Sequence, residues 1–396
     1  MFGIDNNLSF MISYKATERK VAVRSMKHIF YSVVFMLAAL IAGNASASRN
    51  HFKKSIPDSQ FRWYDGKDLQ LKGKGFVGEP LYGRVPADLV ASAADLAPFA
   101  VSTKQSSGLN LRFNTNSWLL RIRWTLPKKP PYGWLNVSGS LAAGIDVYAW
   151  ISGSSWRYWA SGLAEERTNT LDVPWIPNRP CTIYLPALGA LESIQIGVNT
   201  SATIFAARPY AHPKPVVVYG ASMVHGFCSS RPGNIWTSVL SRMLDVEVVN
   251  HGYSGNGKME ETMLGVLGDI DAAAYCFFNC GQNMSYADMK AKFRPFLEKL
   301  HKRRPDAPIL LGGYYYVNGP DAYDFRNPKR DFIQELVVEL RHSDPKLWSN
   351  IHHVRMEDMF VADGDGTVDA AHLNDRGAYQ VALAYADILR RALNID

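Results

Sequence analysis

The sequence is poor in cysteine. It has four cysteines in 396 residues, Cys181, Cys228, Cys276 and Cys280, and their spacing fits no zinc-ligand pattern. The sequence therefore gives no support to a zinc-stabilised fold. Cys228 and Cys280 allow two interpretations, a disulfide between two loops in an oxidising compartment or a pair of buried free thiols.

An excess of charge of one sign is also missing. Charged residues make up 20% of the chain and hydrophobic residues 47%, and three units of the formal net charge of +7 lie in residues 1–47. A balance this mild does not indicate a nucleic-acid partner. The composition is that of a folded protein with sizeable cores, long enough for about two domains.

Cofactor and metal motifs are not apparent either. Gly252, Gly255 and Gly257 do not follow the order of the dinucleotide fingerprint, so we expect no nicotinamide cofactor, nor any other. Four histidines outside the candidate site lack the spacing of metal ligands, so we expect no metal site. They are His225, His251, His352 and His353.

Residues 1–47 have the pattern of an export signal. Basic residues precede an apolar stretch at 29–42, which leads to a small-x-small sequence at 45–47, typical of a signal peptidase site. We predict cleavage before Ser48, a periplasmic or extracellular location, and no transmembrane segment in the mature chain, because the apolar stretch is shorter than the ~20 residues of a membrane span. A chain that starts at Met26 would have a signal peptide of ordinary proportions.

The pattern of the chain changes near residue 210. From about 60 to 207, short segments such as 118–124 and 145–151 alternate apolar and polar residues, and Gly, Pro and Asn separate them. A period of two predicts antiparallel strands. We therefore predict an all-β, jelly-roll-like sandwich for residues 48–210.

From residue 216 onward, apolar strands alternate with amphipathic helices. Five such units predict an α/β domain at 211–396, with a flavodoxin-like, doubly wound parallel sheet covered on both faces. The expected strands are 216–220, 246–250, 273–279, 308–314 and 351–355, and the expected helices are 233–244, 258–268, 286–302, 328–342 and 374–394.

Polar residues and glycine follow the strand ends of this predicted sheet. Ser222 follows the first strand, Gly255 and Asn283 follow later ones, and Asp369 and His372 precede the last helix. Ligands bind at the carboxyl ends of such strands, so we expect these residues to meet at one edge. A serine with an imidazole and a carboxylate is what nucleophilic acyl chemistry requires.

Simpler interpretations compete with this one. A serine after a strand is often only a helix cap, and Asp363 and Asp365 compete with Asp369 for the acid role. The chain differs from an α/β-hydrolase, whose serine lies in Gly-x-Ser-x-Gly, because Val224 stands where the second glycine would be.

Four sequence blocks resemble the SGNH hydrolases, the GDSL-type esterase and acylhydrolase superfamily, which supply Ser, Gly, Asn and His in this chain order. The blocks lie at 220–223, 251–257, 281–284 and 369–372. Departures from the family pattern are Ala221 for Asp, Met284 for Asp and Leu373 for Pro. None of these changes removes a reacting group.

Further segments resemble a branch of this superfamily that carries a β-rich N-terminal domain. Its Gly-x-Asp-Leu-Tyr signature appears at residues 144–148 as Gly-Ile-Asp-Val-Tyr, with Val147 for Leu. Residues 230–233 fit its Ser-Arg-Pro-Gly, and residues 184–187 fit its Tyr-Leu-Pro-Ala. The resemblance implies a secreted bacterial esterase that removes acyl groups, acetyl above all, from carbohydrate.

Each candidate residue has a chemical role in such a reaction. Ser222 is the nucleophile, His372 accepts and returns its proton, and Asp369 orients the imidazole. The backbone amides of Ser222 and Gly255 and the side-chain amide of Asn283 form the oxyanion hole.

The substrate-binding residues stay unassigned. The aromatic segment 314–327 either stacks on sugar rings or packs against the β-domain, and Glu260 and Arg231 either brace loops or contact substrate. Two rival functions stay open, an acylhydrolase of lipid, thioester or peptidoglycan, and a non-catalytic glycan-binding protein on a hydrolase fold.

Overall fold

The computed structural model describes residues 56–130, 133, 136–151, 155–313, 328–329 and 331–395. The predicted leader at 1–47 and the aromatic segment at 314–327 lie outside the described residues. From Phe61 onward the described chain forms one compact unit, and the predicted domain boundary near residue 210 stays a prediction. None of the described helices is long and apolar enough to cross a membrane.

The first part of this unit consists mainly of two antiparallel sheets. Its elements are β1 (Phe61–Asp65), β2 (Gln70–Lys72), α1 (Ala87–Ser92), α2 (Ala100–Thr103), β3 (Asn110–Thr115), β4 (Leu119–Thr125), α3 (Gly139–Ala143), β5 (Ile145–Ile151), β6 (Ser155–Gly162), β7 (Thr168–Pro174), β8 (Cys181–Tyr184), β9 (Ser193–Asn199) and β10 (Ile204–Phe205). One sheet has the order β1-β9-β4-β7, and the other has the order β10-β3-β8-β5-β6 with β2 paired to β3.

Alternate residues of these strands face a shared hydrophobic core. Leu120, Ile122 and Trp124 of β4 contribute from one sheet, and Leu111 and Phe113 of β3 contribute from the other. This period of two is the alternation visible in the sequence, so the prediction of antiparallel strands in this part of the chain is confirmed.

The second part is a five-stranded parallel sheet with helices. Its elements are β11 (Val216–Gly220), α4 (Ser222–His225), α5 (Trp236–Leu244), β12 (Val248–Gly252), α6 (Glu261–Asp269), β13 (Ala274–Phe278), α7 (Tyr286–Arg303), β14 (Ile309–Gly312), α8 (Phe332–Ser343), β15 (Ile351–Val354), α9 (Met356–Met359) and α10 (Asp375–Leu393). The strand order is β12-β11-β13-β14-β15, the flavodoxin-like order. The predicted parallel α/β sheet is confirmed.

Element ends differ from the predicted ones by a few residues. The second strand of the sheet begins at Val248 rather than at 246, because Asp245 ends α5 in a left-handed conformation with φ 48°. The amide of Val246 still donates to the carbonyl of Ser241, at 3.2 Å. Asp245 and Val246 therefore complete the turn after the helix, and Val246 does not extend the strand.

The strands of the parallel sheet are buried on both faces. In β11, Val217 and Tyr219 face one hydrophobic core, and Val216 and Val218 face the other. This explains why the strands appear in the sequence as continuous apolar runs. The carboxyl edge of the sheet, where ligands bind in such folds, is where Ser222 follows β11.

Arg84 connects the N-terminal part to the end of β12. Its guanidinium is fully buried and donates to the carbonyl oxygens of Gln105 at 2.9 Å and Gly252 at 2.7 Å. Burial lowers the pKa of Arg84 to about 10, so the side chain keeps its charge at neutral pH. A buried cation with carbonyl acceptors holds the start of the loop that carries Gly255.

The two signature segments of the sequence meet in a second connection. The fully buried carboxylate of Asp146 accepts hydrogen bonds from Arg231 Nη1 at 2.9 Å and from the amide of Gly233 at 2.7 Å. Arg231 Nη1 also donates to the hydroxyl oxygen of Tyr148 at 2.8 Å. Residues 144–148 and 230–233 thus form one ion-paired contact that holds the loop after the serine.

The buried histidine His251 leads to a prediction about stability and pH. Burial, with a smaller contribution from the charge of Arg84, lowers the pKa of His251 to about 3, whereas a histidine in an unfolded chain has a pKa of ~6.5. The unfolded chain therefore binds more protons at acid pH. The free energy of unfolding has its full value, as far as His251 is concerned, above pH ~6.5. It decreases as the pH falls below that value, by about 2 kcal/mol at pH ~5.

Urea unfolding at neutral and acid pH measures this effect. We expect His251→Gln to reduce the difference in unfolding free energy between the two pH values, whatever its effect on stability at neutral pH. His212→Gln, at a partly exposed position, serves as the control. A pH dependence in His251→Gln equal to that of the wild type would contradict the prediction.

Candidate active site

The structure brings Ser222, His372 and Asp369 together at the carboxyl edge of the parallel sheet. His372 Nε2 lies 2.9 Å from Ser222 Oγ, and His372 Nδ1 lies 2.8 Å from Asp369 Oδ2. Both distances permit hydrogen bonds along which a proton moves during nucleophilic attack. The side chain of His372 is 25% exposed, so a substrate reaches it from solvent.

The carboxylate of Asp369 has several donors in its own loop. Oδ1 accepts from the backbone amides of His372 at 2.7 Å and Ala371 at 3.2 Å. Burial raises the pKa of Asp369, but the hydrogen bonds from His372 and Ala371 outweigh it, and the net pKa is below the ordinary value. The group is therefore a carboxylate at neutral pH.

The two competing acids lie elsewhere. Asp363 and Asp365 both form ion pairs with Arg376, at 2.9 and 3.4 Å. The hydrogen bond between Asp369 and His372 thus distinguishes the three carboxylates in a way that their spacing in the sequence did not.

Two of the three predicted oxyanion donors, Gly255 and Asn283, lie on loops that are joined by a hydrogen bond. Asn283 Nδ2 donates to the backbone carbonyl of Asn256 at 3.0 Å, next to Gly255. Since a primary amide has two N–H groups, this bond orients the Asn283 side chain and leaves its second N–H for another acceptor. The neighbouring amide of Ser254 donates to His225 Nδ1 at 3.3 Å. The oxyanion role of these groups stays a prediction.

Two glycines of this loop make a matched pair for a stability test. Gly255 and Gly257 both have left-handed backbones, with φ 74° and 72°. A Cβ at 255 would meet no atom of the described residues within 4 Å, whereas a Cβ at 257 would lie 2.5 Å from the carbonyl carbon and oxygen of Gly220.

We therefore expect Gly255→Ala to reduce the unfolding free energy by about 1 kcal/mol, the cost of a left-handed alanine, and Gly257→Ala by about 3 kcal/mol or more, because backbone must also move. Equilibrium urea unfolding measures both. Equal losses in the two variants would contradict this account of the loop.

The three departures from the family pattern are buried apolar contacts. Ala221, Met284 and Leu373 are 0%, 5% and 1% exposed, and the last two belong to the hydrophobic cores on the two sides of the sheet. Each is a buried neighbour, in the sequence, of a residue assigned to the reaction, and none takes the place of a reacting group. Glu260 also braces the fold, since its carboxylate accepts a hydrogen bond from the Tyr219 hydroxyl.

Sequence reasoning missed two neighbours of the acid–base pair. Asn136 Nδ2 donates to Asp369 Oδ2 at 2.8 Å, and the ring of Phe227 lies 5.7 Å from that of His372, centroid to centroid. Asn136 is 233 residues from Asp369 in the chain, and no motif singles it out. Phe227 lies in the segment between Ser222 and the Ser-Arg-Pro-Gly motif, so its proximity to the serine was a usable signal.

All four cysteines are buried free thiols, and Cys228 and Cys280 form no disulfide. Burial and the nearby charge of Asp369 raise the pKa of Cys228 to about 12, so the thiol stays protonated. Among the described residues, ligand atoms of Cys228, Asp369 and His372 lie within 4.8 Å of one another. The imidazole and the carboxylate of this group already hydrogen-bond to each other.

Comparison with known proteins agrees with this geometry. Residues 213–390 match the GDSL-like Lipase/Acylhydrolase family, and residues 61–204 match the family described as the N-terminus of the Esterase_SGNH_hydro type, GxDLY. Fold, site and these matches together define the class, an ester hydrolase. The chain belongs to the GDSL-like lipase/acylhydrolase family, in the branch with a GxDLY-type N-terminal domain. No curated protein sequence matches the chain.

Solved structures show the same fold over most of the chain. A Bacteroides ovatus protein described as a GDSL-like lipase has 26% identity and a TM-score of 0.74, with 85% of this chain and 99% of that one covered. A salicylyl-acyltransferase from a tetracycline biosynthetic pathway has 18% identity and a TM-score of 0.65, with 85% of this chain and 97% of that one covered. A family two carbohydrate esterase from Cellvibrio japonicus has 14% identity and a TM-score of 0.53, with 84% of this chain and 98% of that one covered. The last two similarities concern the fold alone.

Proposed function

We propose that this ester hydrolase is an exported serine esterase that removes O-acetyl groups from carbohydrate. The observation that carries the serine mechanism is the hydrogen bond between His372 Nε2 and Ser222 Oγ, with Asp369 on the opposite side of the imidazole. In this proposal Ser222, His372 and Asp369 are nucleophile, general base and orienting acid.

The reaction proceeds in two steps. Ser222 Oγ attacks the acetyl carbonyl carbon while His372 takes its proton, and the resulting tetrahedral oxyanion accepts hydrogen bonds from the amides of Ser222 and Gly255 and the side chain of Asn283. His372 then protonates the sugar oxygen, which leaves, and an acetyl-enzyme remains. Water, deprotonated by His372, then attacks this ester. As the bond between the acyl carbon and Ser222 Oγ breaks, His372 returns the proton to Oγ, acetate is released and free Ser222 is regenerated.

The surroundings of the site favour a polar alcohol. The imidazole and the carboxylate are 25% and 31% exposed, and exposed Asn136 and Ser230 lie near the acid-bearing loop. An open, polar rim suits a sugar, whose hydroxyls need hydrogen-bond partners, better than a long acyl chain, whose binding needs buried apolar area. The fold shared with a carbohydrate esterase is consistent with this choice.

A panel of esters tests the proposal. The protein from Ser48 onward is assayed with p-nitrophenyl acetate, butyrate and octanoate, followed by acetate release from acetylated xylan and from O-acetylated sialoglycan. We expect fast acetate hydrolysis, slow octanoate hydrolysis and release of acetate from at least one glycan. A preference for octanoate would instead support a lipid acylhydrolase, and inactivity on the whole panel would support a glycan-binding protein.

Export and the jelly-roll-like N-terminal sandwich, the two remaining parts of the proposal, are supported by other observations. The pattern of residues 1–47 supports export, and the mass of the protein recovered from the periplasm or medium tests cleavage before Ser48. Two antiparallel sheets around one core support a jelly-roll-like sandwich in residues 48–210. An experimental structure with a different arrangement of these two sheets would refute it.

A further inference from the structure

We propose that Asn136, which lies in the N-terminal part of the protein, is a positioning residue of the active site that holds the Asp369 carboxylate against His372. This inference rests on the proposed serine mechanism, and it extends the catalytic machinery beyond the α/β sheet.

The hydrogen bonds of Asp369 show what Asn136 adds. Oδ1 accepts two backbone amides of its own loop, and Oδ2 accepts His372 Nδ1 at 2.8 Å and Asn136 Nδ2 at 2.8 Å. Three of the four donors thus come from residues 371–372. The fourth is Asn136, and it binds the same oxygen atom that faces the imidazole.

The orientation of the Asn136 amide follows from the chemistry of its partner. An ionised carboxylate only accepts hydrogen bonds. If the amide were turned over, its carbonyl oxygen would lie against Oδ2 and two acceptors would repel each other. The contact therefore requires that the amide nitrogen of Asn136 donates.

The backbone around Asn136 is held in place next to the loop after the serine. Ser138 Oγ donates to the carbonyl of Ser230 at 2.5 Å and accepts from the amide of Leu141 at 3.0 Å, capping α3. Leu141 and Ile235 belong to one buried apolar cluster, and Val137 and Phe227 pack against that cluster. Asn136 thus directly precedes a backbone segment that these contacts anchor, which suits a positioning role.

Loss of this donor has two expected consequences. Asp369 is 31% exposed, so without Asn136 its carboxylate is free to turn toward water, and the imidazole is held less firmly during proton transfer. In addition, more negative charge stays on Oδ2 and favours the protonated imidazole. The acidic limb of the kcat/KM profile therefore moves to higher pH. The Cys228 thiol is a further titratable group beside this pair, since its sulfur and the ligand atoms of Asp369 and His372 lie within 4.8 Å of one another.

The test compares Asn136→Ala, Asn136→Asp and a control, Asn116→Ala. Asn116 is also an exposed asparagine of the N-terminal part, and its side chain accepts from the amide of Thr203 at 2.8 Å, away from the site. With p-nitrophenyl acetate, we expect Asn136→Ala to lower kcat about tenfold, as for a hydrogen bond to a charged group, with KM changed less than about twofold.

Asn136→Asp sets a second carboxylate against Asp369, and we expect it to lower kcat by about 100-fold, because a like charge replaces a donor. The acidic limb should move to higher pH in both Asn136 variants and stay in place in Asn116→Ala. Thermal unfolding midpoints within about 2 °C of the wild type exclude a general loss of structure.

An unchanged kcat and pH profile in both Asn136 variants would overturn the inference, as would a lower kcat with an unmoved acidic limb and a lowered unfolding midpoint. A readout that needs no substrate is the downfield proton resonance of His372 Nδ1–H. We expect it to shift in Asn136→Ala, and an identical resonance would also overturn the inference. Failure of the proposed function is recognised separately, as wild-type hydrolysis that persists in Ser222→Ala.

Discussion

Replacement of Ser222 by alanine is expected to lower kcat for p-nitrophenyl acetate by about 10⁵-fold, leaving only the rate that substrate binding and the oxyanion donors provide. Ser222 Oγ is the atom that forms the bond to the acyl carbon, and alanine has no substitute for it. The hydrogen bond from the serine hydroxyl to His372 is the contact that the change removes from the free protein. The unfolding midpoint should therefore change little.

A control and a chemical label sharpen this prediction. Ser238→Ala removes a buried hydroxyl without a hydrogen-bond partner among the described residues, and its activity should stay within about twofold of the wild type. A phosphonate ester inhibitor should add one equivalent of mass to the wild type, on the peptide that contains Ser222, and none to Ser222→Ala. Retention of more than about 1% of wild-type kcat in Ser222→Ala would refute the nucleophile assignment.

Asp369→Asn is expected to have the second largest effect, a decrease in kcat of about 10³- to 10⁴-fold. The asparagine has nearly the same shape, but it has no charge to stabilise the imidazolium. Its amide nitrogen can also donate to His372 Nδ1, and the imidazole proton then lies on Nε2. In that tautomer Nε2 cannot accept the proton of Ser222.

The competing acids provide matched controls for this variant. Asp363→Asn and Asp365→Asn each remove one charge from the same region, where both residues form exposed ion pairs with Arg376. Exposed pairs contribute little to stability, so both controls should keep kcat within about twofold. If Asp363→Asn or Asp365→Asn lost as much activity as Asp369→Asn, the acid would be misassigned.

The parallel sheet could be predicted because each of its strands and helices is specified by a pattern of neighbouring residues in the sequence. Each strand of the sheet is buried on both faces and appears as an apolar run, and each long helix has one apolar side, so β11, β13 and α7 lie within one or two residues of their predicted bounds. The errors concern ends, as at Val248, where a left-handed Asp245 and a turn intervene. A turn of this kind depends on the conformation of one residue, which periodicity does not report.

The candidate site was predictable for a related reason. In a parallel sheet all strands end at the same edge, so residues that follow strand ends converge even though they are far apart in the chain. Ser222, Gly255 and Asn283 each follow a strand, and the loop before α10 supplies Asp369 and His372. The choice among Asp363, Asp365 and Asp369 was not settled by order alone, because all three lie in one short loop.

The sequence by itself determined the alternation of strands and helices, the chain order of the reacting residues and the family to which the chain belongs. Only the tertiary structure decided that Asn136 donates to Asp369, that Asp146 pairs with Arg231 across the two parts of the protein, and that the cysteines are free thiols. The first set depends on periodicity and spacing along the chain. The second depends on side-chain distances between segments as many as 233 residues apart, and hydrogen bonds and ion pairs exist only within a few ångströms.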